Sequence, residues 1–257
     1  METKLPVLIS IPHGGLSVPE ELADRISPHI TEILGDSDAF TRDIYDLGER
    51  AAAVAAADIA RSLVDCNRSP ASRPPEKEDG VIKDVTNYGV KIYRRGQEPD
   101  GKLIDSLIKR YYDPYHRRIR DLLEMEGLVL GLDCHSMAAV GPPLAKDPGQ
   151  RRPLICLGNC RGKTCSEEKA RELAHCFQEA FGLSEKEVLI NEPYSGGHIT
   201  RTYGGNPIPW VQVEMSRAMY LEHPWFDVTN LSVDRGRLAE LKGMFERALS
   251  LFFGFSA

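Results

Sequence analysis

The chain has 257 residues, 42% hydrophobic and 27% charged, and a net charge of −6, the profile of an ordinary globular protein. It carries no basic run interleaved with aromatics and no unbroken apolar span of membrane length, so neither nucleic acid nor a bilayer is an expected partner. The opening METKLPVLIS has no charged segment leading into a long apolar core, and the six cysteines are too dispersed for a disulfide framework, so a reduced, cytoplasmic protein is expected.

Short apolar runs alternate with amphipathic stretches, the pattern of an α/β sheet covered on both faces. The first strand is expected over Val7–Ile11 and ends in Pro12-His13-Gly14-Gly15. Ser17-Val18-Pro19-Glu20 then has the form of a capping box with proline inside the first helical turn. A helix over Asp38–Arg50 places Phe40, Ile44 and Leu47 at helical spacing, and strands Val54–Ile59 and Ser62–Asp65 follow. Ser69–Lys91, with Pro70, Pro74, Pro75 and a run of charges, reads as a long surface loop of the functional kind. Lys102–Glu126 reads as a helix with Leu103, Leu107, Tyr111, Tyr115 and Leu122 on one side and a kink at Pro114. Strands Leu128–Asp133 and Leu154–Leu157 come next, then a helix over Thr164–Phe181 that opens on a capping box, Thr164 to Glu167. Strands Val188–Ile190 and Trp210–Glu214 flank a glycine-rich loop, and a last helix near Ser232–Phe253 turns Leu238, Leu241, Phe245 and Leu249 inward. The near-continuous hydrophobicity of the strands implies burial on both faces. No repeat or linker divides the sequence, which reads as a single domain over residues 1–257.

Ligand sites in open α/β sheets lie beyond the carboxyl ends of strands. The polar residues expected there are His13, Asp65-Cys66-Asn67-Arg68, Asp133-Cys134-His135-Ser136 and Glu214. Zinc takes imidazole nitrogen and carboxylate oxygen and, in catalytic sites, keeps one position for water. His13 and His135 can supply two ligands, and Glu20, Asp36 or Asp38 the third. Glu20 has a capping task, and Asp36 can cap the next helix, which leaves Asp38 in its first turn; spacing barely separates Asp36 from Asp38. Cys134 adjoins His135, yet neighbouring strand residues point to opposite faces, so it reads as a buried inert thiol. Cys156, Cys160 and Cys165 lack the paired spacing of a structural zinc motif. Asp133, two residues before His135, shares its face and is placed to orient its ring.

The stretches SIPHGG, DSDAFTRDIYD, SLVDCNRSP, YYDPYHRRI, LDCHSM, GGHITRTYGG and VQVEMSRAMYL together resemble, in order, the N-formylglutamate amidohydrolase family. That family is similar in fold to zinc carboxypeptidases and aspartoacylase, which implies a three-layer α/β/α sandwich around a mixed, mostly parallel sheet. The resemblance implies one divalent ion, zinc, on His13, Asp38 and His135. The zinc-peptidase pattern has a glutamate three residues after its first histidine; Leu16 stands there, and Asp38 matches the family's aspartate instead. Arg61 resembles the arginine that polarises the scissile carbonyl, Asn67-Arg68 the pair that holds a substrate carboxylate, and Glu214 the glutamate that acts on water. A substrate with two carboxylates needs a second cationic anchor, for which Arg201 is the candidate, with Gly197 and His198 beside it as substrate contacts. Tyr194 is a further candidate donor, whereas His116 reads as a helix residue with a structural hydrogen bond. Gly14 and Gly15 are expected to leave room for substrate. The implied reaction is hydrolysis of an N-formyl or similar N-acyl amide of an acidic amino acid, N-formyl-L-glutamate above all, with a place in histidine degradation. The alternatives are deacylation of another N-acyl amino acid or a peptidoglycan-type amide, or a catalytically silent binding protein. A two-manganese ureohydrolase is excluded, because its Asp-x-His-x-Asp cluster needs an aspartate where Met137 stands.

Overall fold

The structure, a computed structural model, describes residues 3–27, 30–74 and 79–255. From β1 (Leu5–Ile11) the chain passes through α1 (Ile30–Asp36) and α2 (Thr41–Tyr45) to β2 (Ala51–Ala56). After α3 (Gly101–Leu107) and α4 (Asp113–Leu123) come β3 (Leu130–Met137), β4 (Ile155–Gly158), α5 (Glu167–Phe181), β5 (Val188–Ile190), α6 (His198–Tyr203), β6 (Trp210–Ser216) and α7 (Arg235–Phe252). The sheet order is β2-β1-β3-β6-β4-β5. β2, β1, β3 and β6 are mutually parallel, whereas β4 runs antiparallel to β6 and carries β5 with it. This is the mixed, mostly parallel sheet expected.

Alternation along the strands creates two cores. Val7, Ile9 and Ile11 of β1 join Ile44, Phe177, Leu241 and Phe245 of α2, α5 and α7. Leu8 faces the other side, with Ile104 and Ile119 of α3 and α4 and Val81 and Ile82 of the long connection. Helical layers on both faces give the α/β/α sandwich. On β3 and β6 the apolar residues Leu132, Cys134, Val211, Val213 and Met215 all enter the first core. That leaves Asp133, His135, Gln212 and Glu214 buried on the opposite face.

Several expected elements change. Ser62–Asp65 is a turn, with Leu63 and Val64 N–H both bonded to the Ala60 carbonyl; its apolar side chains are buried without any strand. The second strand is Ala51–Ala56 rather than Val54–Ile59, and beyond it only isolated bridges join Gly15 to Ala60 and Ser17 to Ile59. The helix expected from Asp38 shrinks to Thr41–Tyr45 and a 3₁₀ turn at Gly48–Arg50, because Phe40 adopts a left-handed φ of 63°. Ser17–Glu20 leads only to a short 3₁₀ turn without a side-chain cap, and Glu20 is exposed. Pro114 falls at the second residue of α4, which continues directly from a π turn at Ile108–Tyr112, the local irregularity in the expected helix. Ser166, not Thr164, caps α5, and Asp234 caps α7. Of the expected surface loop, residues 75–78 lie outside the described residues; beyond them Val81, Ile82 and Lys83 are buried. The glycine-rich loop contains α6, which the sequence pattern did not reveal. Among the described residues no helix is long and apolar enough to cross a membrane.

Candidate active site

β1 delivers His13 two residues past its end, and a tight turn brings Asp38 to it. Asp38 N–H donates to the His13 carbonyl (3.1 Å), while Thr41 Oγ1 donates to the Asp38 carbonyl (2.6 Å). His135 comes up from the neighbouring β3. Three atoms converge: His13 Nδ1 lies 3.1 Å from His135 Nδ1 and 3.3 Å from Asp38 Oδ2, and His135 Nδ1 lies 2.9 Å from Asp38 Oδ2. Tetrahedral bonds of about 2.0–2.1 Å would hold ligand atoms about 3.3 Å apart, so the three stand close to the spacing one ion requires. All three are buried, and among the described residues this is the set of histidine, cysteine and acidic side chains that converges in this way.

The far side of each ligand is anchored. His13 Nε2 meets Asp65 Oδ1 at 2.7 Å and His135 Nε2 meets Asp133 Oδ1 at 3.1 Å, so both rings turn Nδ1 toward the common point. Asp38 Oδ1 accepts from Arg217 Nη2 (3.2 Å), itself fixed by donation to Ser136 Oγ (3.0 Å) and Gly35 O (2.7 Å). Asp65 also accepts from Asn67 N–H (2.9 Å) and Arg61 Nη2 (3.3 Å), and Asp133 from Thr200 Oγ1 (3.0 Å) and Asn67 Nδ2 (3.2 Å). Burial pushes the Asp38 carboxyl up, but hydrogen bonds from His13 and His135 overcome it and hold the group well below the usual carboxylate range. Asp65 follows the same pattern, with the charges of His13, Arg68 and Arg61 outweighing burial. Burial disfavours a charged His135, yet Asp133 and Asp38 outweigh that and raise it well above an ordinary histidine. The cluster therefore favours a positive charge at its centre, which a divalent cation matches.

β6 places Glu214 beside this set, in register with His135. Burial raises its carboxyl, His135 opposes and Asp38 adds to the rise, leaving it at about 7. A carboxyl near neutrality beside a candidate metal centre is suited to moving protons.

The other expected site residues divide. Arg61 is buried, donates to the Asp36 carbonyl (3.3 Å) as well as to Asp65, and leaves Nε without a partner. The Asn67 amide is committed within the protein: Oδ1 accepts from Ile199 N–H (2.7 Å), and Nδ2 faces Asp133 and, at 2.9 Å, His135 Nε2. Arg68 is half-buried and donates to Asp79 Oδ2 (2.8 Å). Gly197 packs so closely on the Asn67 amide that a Cβ would lie 2.4 Å from it. His198 opens α6, half-buried and edge-on to His116 at 5.9 Å. Arg201, exposed on α6, lines a cavity of about 480 Å³ with Cys160, Arg161, Lys163, Thr164, Ser195 and Gly204. A Cβ on Gly15 would lie 2.2 Å from the Asp58 backbone, so this glycine makes room for the chain, not for substrate. Asp36 is buried but turns to Asn87 N–H (2.7 Å) and Lys83 Nζ (3.8 Å). His116 is held by the Cys66 carbonyl (2.9 Å) and Tyr203 OH (2.8 Å), the structural place expected. Tyr194 is half-buried beneath the Arg152 guanidinium, and burial pushes its hydroxyl up to about 12. Cys134 lies in the opposite core with its thiol pushed far up by burial, and all six cysteines are unpaired.

The sequence pattern of the N-formylglutamate amidohydrolases matches residues 5–221, a span that includes every ligand candidate and Glu214. The chain belongs to the N-formylglutamate amidohydrolase family. It is 30% identical to the N-formylglutamate deformylases of Pseudomonas putida, over 228 residues, and Pseudomonas aeruginosa, over 231, which covers 85% of this chain and 83% of each relative. The fold matches the N-formylglutamate amidohydrolase of Ralstonia eutropha JMP134 with a TM-score of 0.80 at 20% identity, over 98% of this chain and 94% of that one. A protein of Agrobacterium tumefaciens matches with a TM-score of 0.61 at 16% identity, over 98% and 91% of the two chains. As a member of the amidohydrolase family the chain is a hydrolase of amide carbon–nitrogen bonds.

Sequence reasoning listed Asp65 at the sheet end without its place behind His13, and missed further supports of this amidohydrolase site: Arg217 behind Asp38, Gln212 beside Glu214, and the buried Lys83, 3.7 Å from Asp65. Gln212 carried a readable signal, as a polar residue at period two with Glu214 in an otherwise apolar strand. Lys83 carried none, since a lysine in a charged loop normally faces water.

Proposed function

We propose that this amidohydrolase removes the formyl group from N-formyl-L-glutamate, yielding formate and glutamate. The observation that carries the reading is the convergence of His13, Asp38 and His135 beside Glu214, in a chain whose Pseudomonas relatives are N-formylglutamate deformylases. His13 Nδ1, Asp38 Oδ2 and His135 Nδ1 are the proposed ligands of one divalent ion, with zinc suited to this nitrogen and oxygen set. Bound there, the ion supplies Lewis-acid activation of water and carbonyl. Glu214 takes a proton from the water as its oxygen adds to the formyl carbon, then gives it to the amine nitrogen as the carbon–nitrogen bond breaks. Arg61, with its unpartnered Nε, donates to the developing oxyanion. Arg68 is the proposed anchor for a substrate carboxylate, His198 and Gly197 border the substrate, and Asn67, which donates to Asp133, supports His135 through that carboxylate rather than binding substrate. Arg201, one helical turn beyond His198, is the second anchor in this reading. Six unpaired cysteines suit a reducing, cytoplasmic setting.

The test is formate release from N-formyl-L-glutamate by zinc-loaded and chelator-stripped protein, with N-acetyl-L-glutamate and N-formyl-L-aspartate alongside. Metal-dependent release that prefers N-formyl-L-glutamate is expected. Glu214→Gln should keep its metal and lose about 10²–10⁴-fold in kcat. A metal-loaded protein that releases formate from none of the three refutes the substrate, and a fully active Glu214→Gln refutes the base.

A further inference from the structure

Glu214 is held by a side chain that the proposed chemistry leaves unused. Gln212 precedes it by two residues on β6, so both rise from one face of the sheet. Across the ladder Gln212 is paired with Asp133, and Glu214 with His135. On β3 the residue two before His135 orients its ring. On β6 the same relation recurs: Gln212 Nε2 donates to Glu214 Oε1 at 2.7 Å. The other end of the amide accepts from Gly197 N–H, the residue that precedes α6. That contact sets the amide's orientation, because an N–H can meet only the oxygen, and the nitrogen must then face Glu214. Gln212 is 4% exposed, so water does not compete for these bonds. Among the described residues, Glu214 Oε2 has no hydrogen-bond partner.

We infer that Gln212 is a positioning residue: it occupies Glu214 Oε1, reserves Oε2 for proton transfer, and ties the base to the strap formed by Gly197 and α6. The same strap holds the metal side of the site, since Ile199 N–H fixes Asn67 and Thr200 Oγ1 fixes Asp133. Base and histidine are therefore aligned by one segment. The inference rests on Glu214 being the base of the proposed reaction.

A double-mutant comparison tests it. Gln212→Met keeps the bulk and removes both hydrogen bonds. Loss of a buried bond to a charged group is expected to lower kcat about ten- to a hundredfold, with KM within about twofold and zinc content by atomic absorption unchanged. In a Glu214→Gln background the same substitution should change kcat less than twofold, because the group it acts through is gone. An equal loss in both backgrounds, a loss confined to KM, or no loss at all overturns the inference. Should Gln212→Met not fold, Gln212→Leu, which likewise removes the donor to Glu214, carries the same comparison. A wild-type protein that releases no formate would sink the functional reading instead. Carbon-13 NMR of glutamate-labelled protein then still decides: the Glu214 carboxyl resonance, identified by its loss in Glu214→Gln, moves in Gln212→Met if the bond exists and stays if it does not.

Discussion

Replacing Asp65 by asparagine exchanges one oxygen for nitrogen without changing volume, and so isolates what the carboxylate does for the candidate metal centre. Asp65 Oδ1 accepts from His13 Nε2 at 2.7 Å and from Asn67 N–H at 2.9 Å, while Oδ2 faces Arg61 Nη2 at 3.3 Å and Lys83 Nζ at 3.7 Å. An asparagine that keeps its oxygen on His13 turns its NH₂ onto two cations; the flipped amide turns it onto the imidazole N–H instead. In both arrangements the negative charge behind the ring is gone. A hydrogen bond of this charge-assisted kind is worth about 1.5–3 kcal/mol, or about a ten- to hundredfold change in an equilibrium constant. Losing a carboxylate behind a metal-binding histidine costs affinity in the same range. Zinc affinity of Asp65→Asn, measured by competition with a chromophoric chelator, is therefore expected to fall ten- to a hundredfold with single-site stoichiometry kept. Asp133→Asn should match it through His135, whereas Asp36→Asn, which touches neither ring, should stay within about twofold. Wild-type affinity in a folded Asp65→Asn would refute the assignment of ring orientation to Asp65. Loss of binding in Asp36→Asn would make Asp36, not Asp38, the third ligand.

Two further outcomes bear on the scaffold. Burial lowers His116 to about 4 from 6.5 despite its bond to the Cys66 carbonyl, so below pH 6.5 the unfolded chain binds the proton more readily than the folded one. Stability is then fully present above about pH 6.5 and declines toward pH 4 by up to about 3 kcal/mol; His116→Asn should flatten that part of a urea-melt series, and parallel curves would count against it. A Cβ on Gly131 would lie 2.2–2.5 Å from three atoms of the Trp210 indole, which is fully buried. Gly131→Ala is expected to destabilise by about 1–3 kcal/mol, seen as a lowered melting temperature; an unchanged one would mean that the indole has room to move.

The sheet was legible because buried strands announce themselves as apolar runs: of the seven expected strands, Val7–Ile11, Val188–Ile190 and Trp210–Glu214 lie wholly within observed ones, and Val54–Ile59, Leu128–Asp133 and Leu154–Leu157 overlap theirs in part. The run at Ser62–Asp65 misleads for the same reason: burial of Leu63 and Val64 requires apolar side chains whether the backbone is extended or turned. The turn matters, since it is what aims Asp65 at His13, and strand parity would have given the wrong direction. Asp38 is obscured in a related way. Helical spacing of Phe40, Ile44 and Leu47 suggests a helix that begins at Asp38, yet the left-handed Phe40 separates the aspartate from α2 and frees it to face the sheet end.

One signal was read on β3, where Asp133 was placed with His135, but not on β6, where Gln212 stands in the same relation to Glu214. Polar and apolar residues alternate strictly in WVQVEMS and at the carboxyl end of LGLDCHS: Gln212, Glu214 and Ser216 between Val211, Val213 and Met215, and Asp133 and His135 around Cys134. Such alternation ordinarily marks a face turned to water. In central strands of a sheet covered on both sides no face meets water, so polar residues at period two have to be satisfied by one another or by a ligand. Two adjacent strands with that pattern predict a buried polar array that spans both. The pairs Asp133–His135 and Gln212–Glu214 are that array, with an orienting residue and a reacting one on each strand. Period-two polarity inside a doubly covered sheet therefore points to the site and to its supports together, without needing a motif for either.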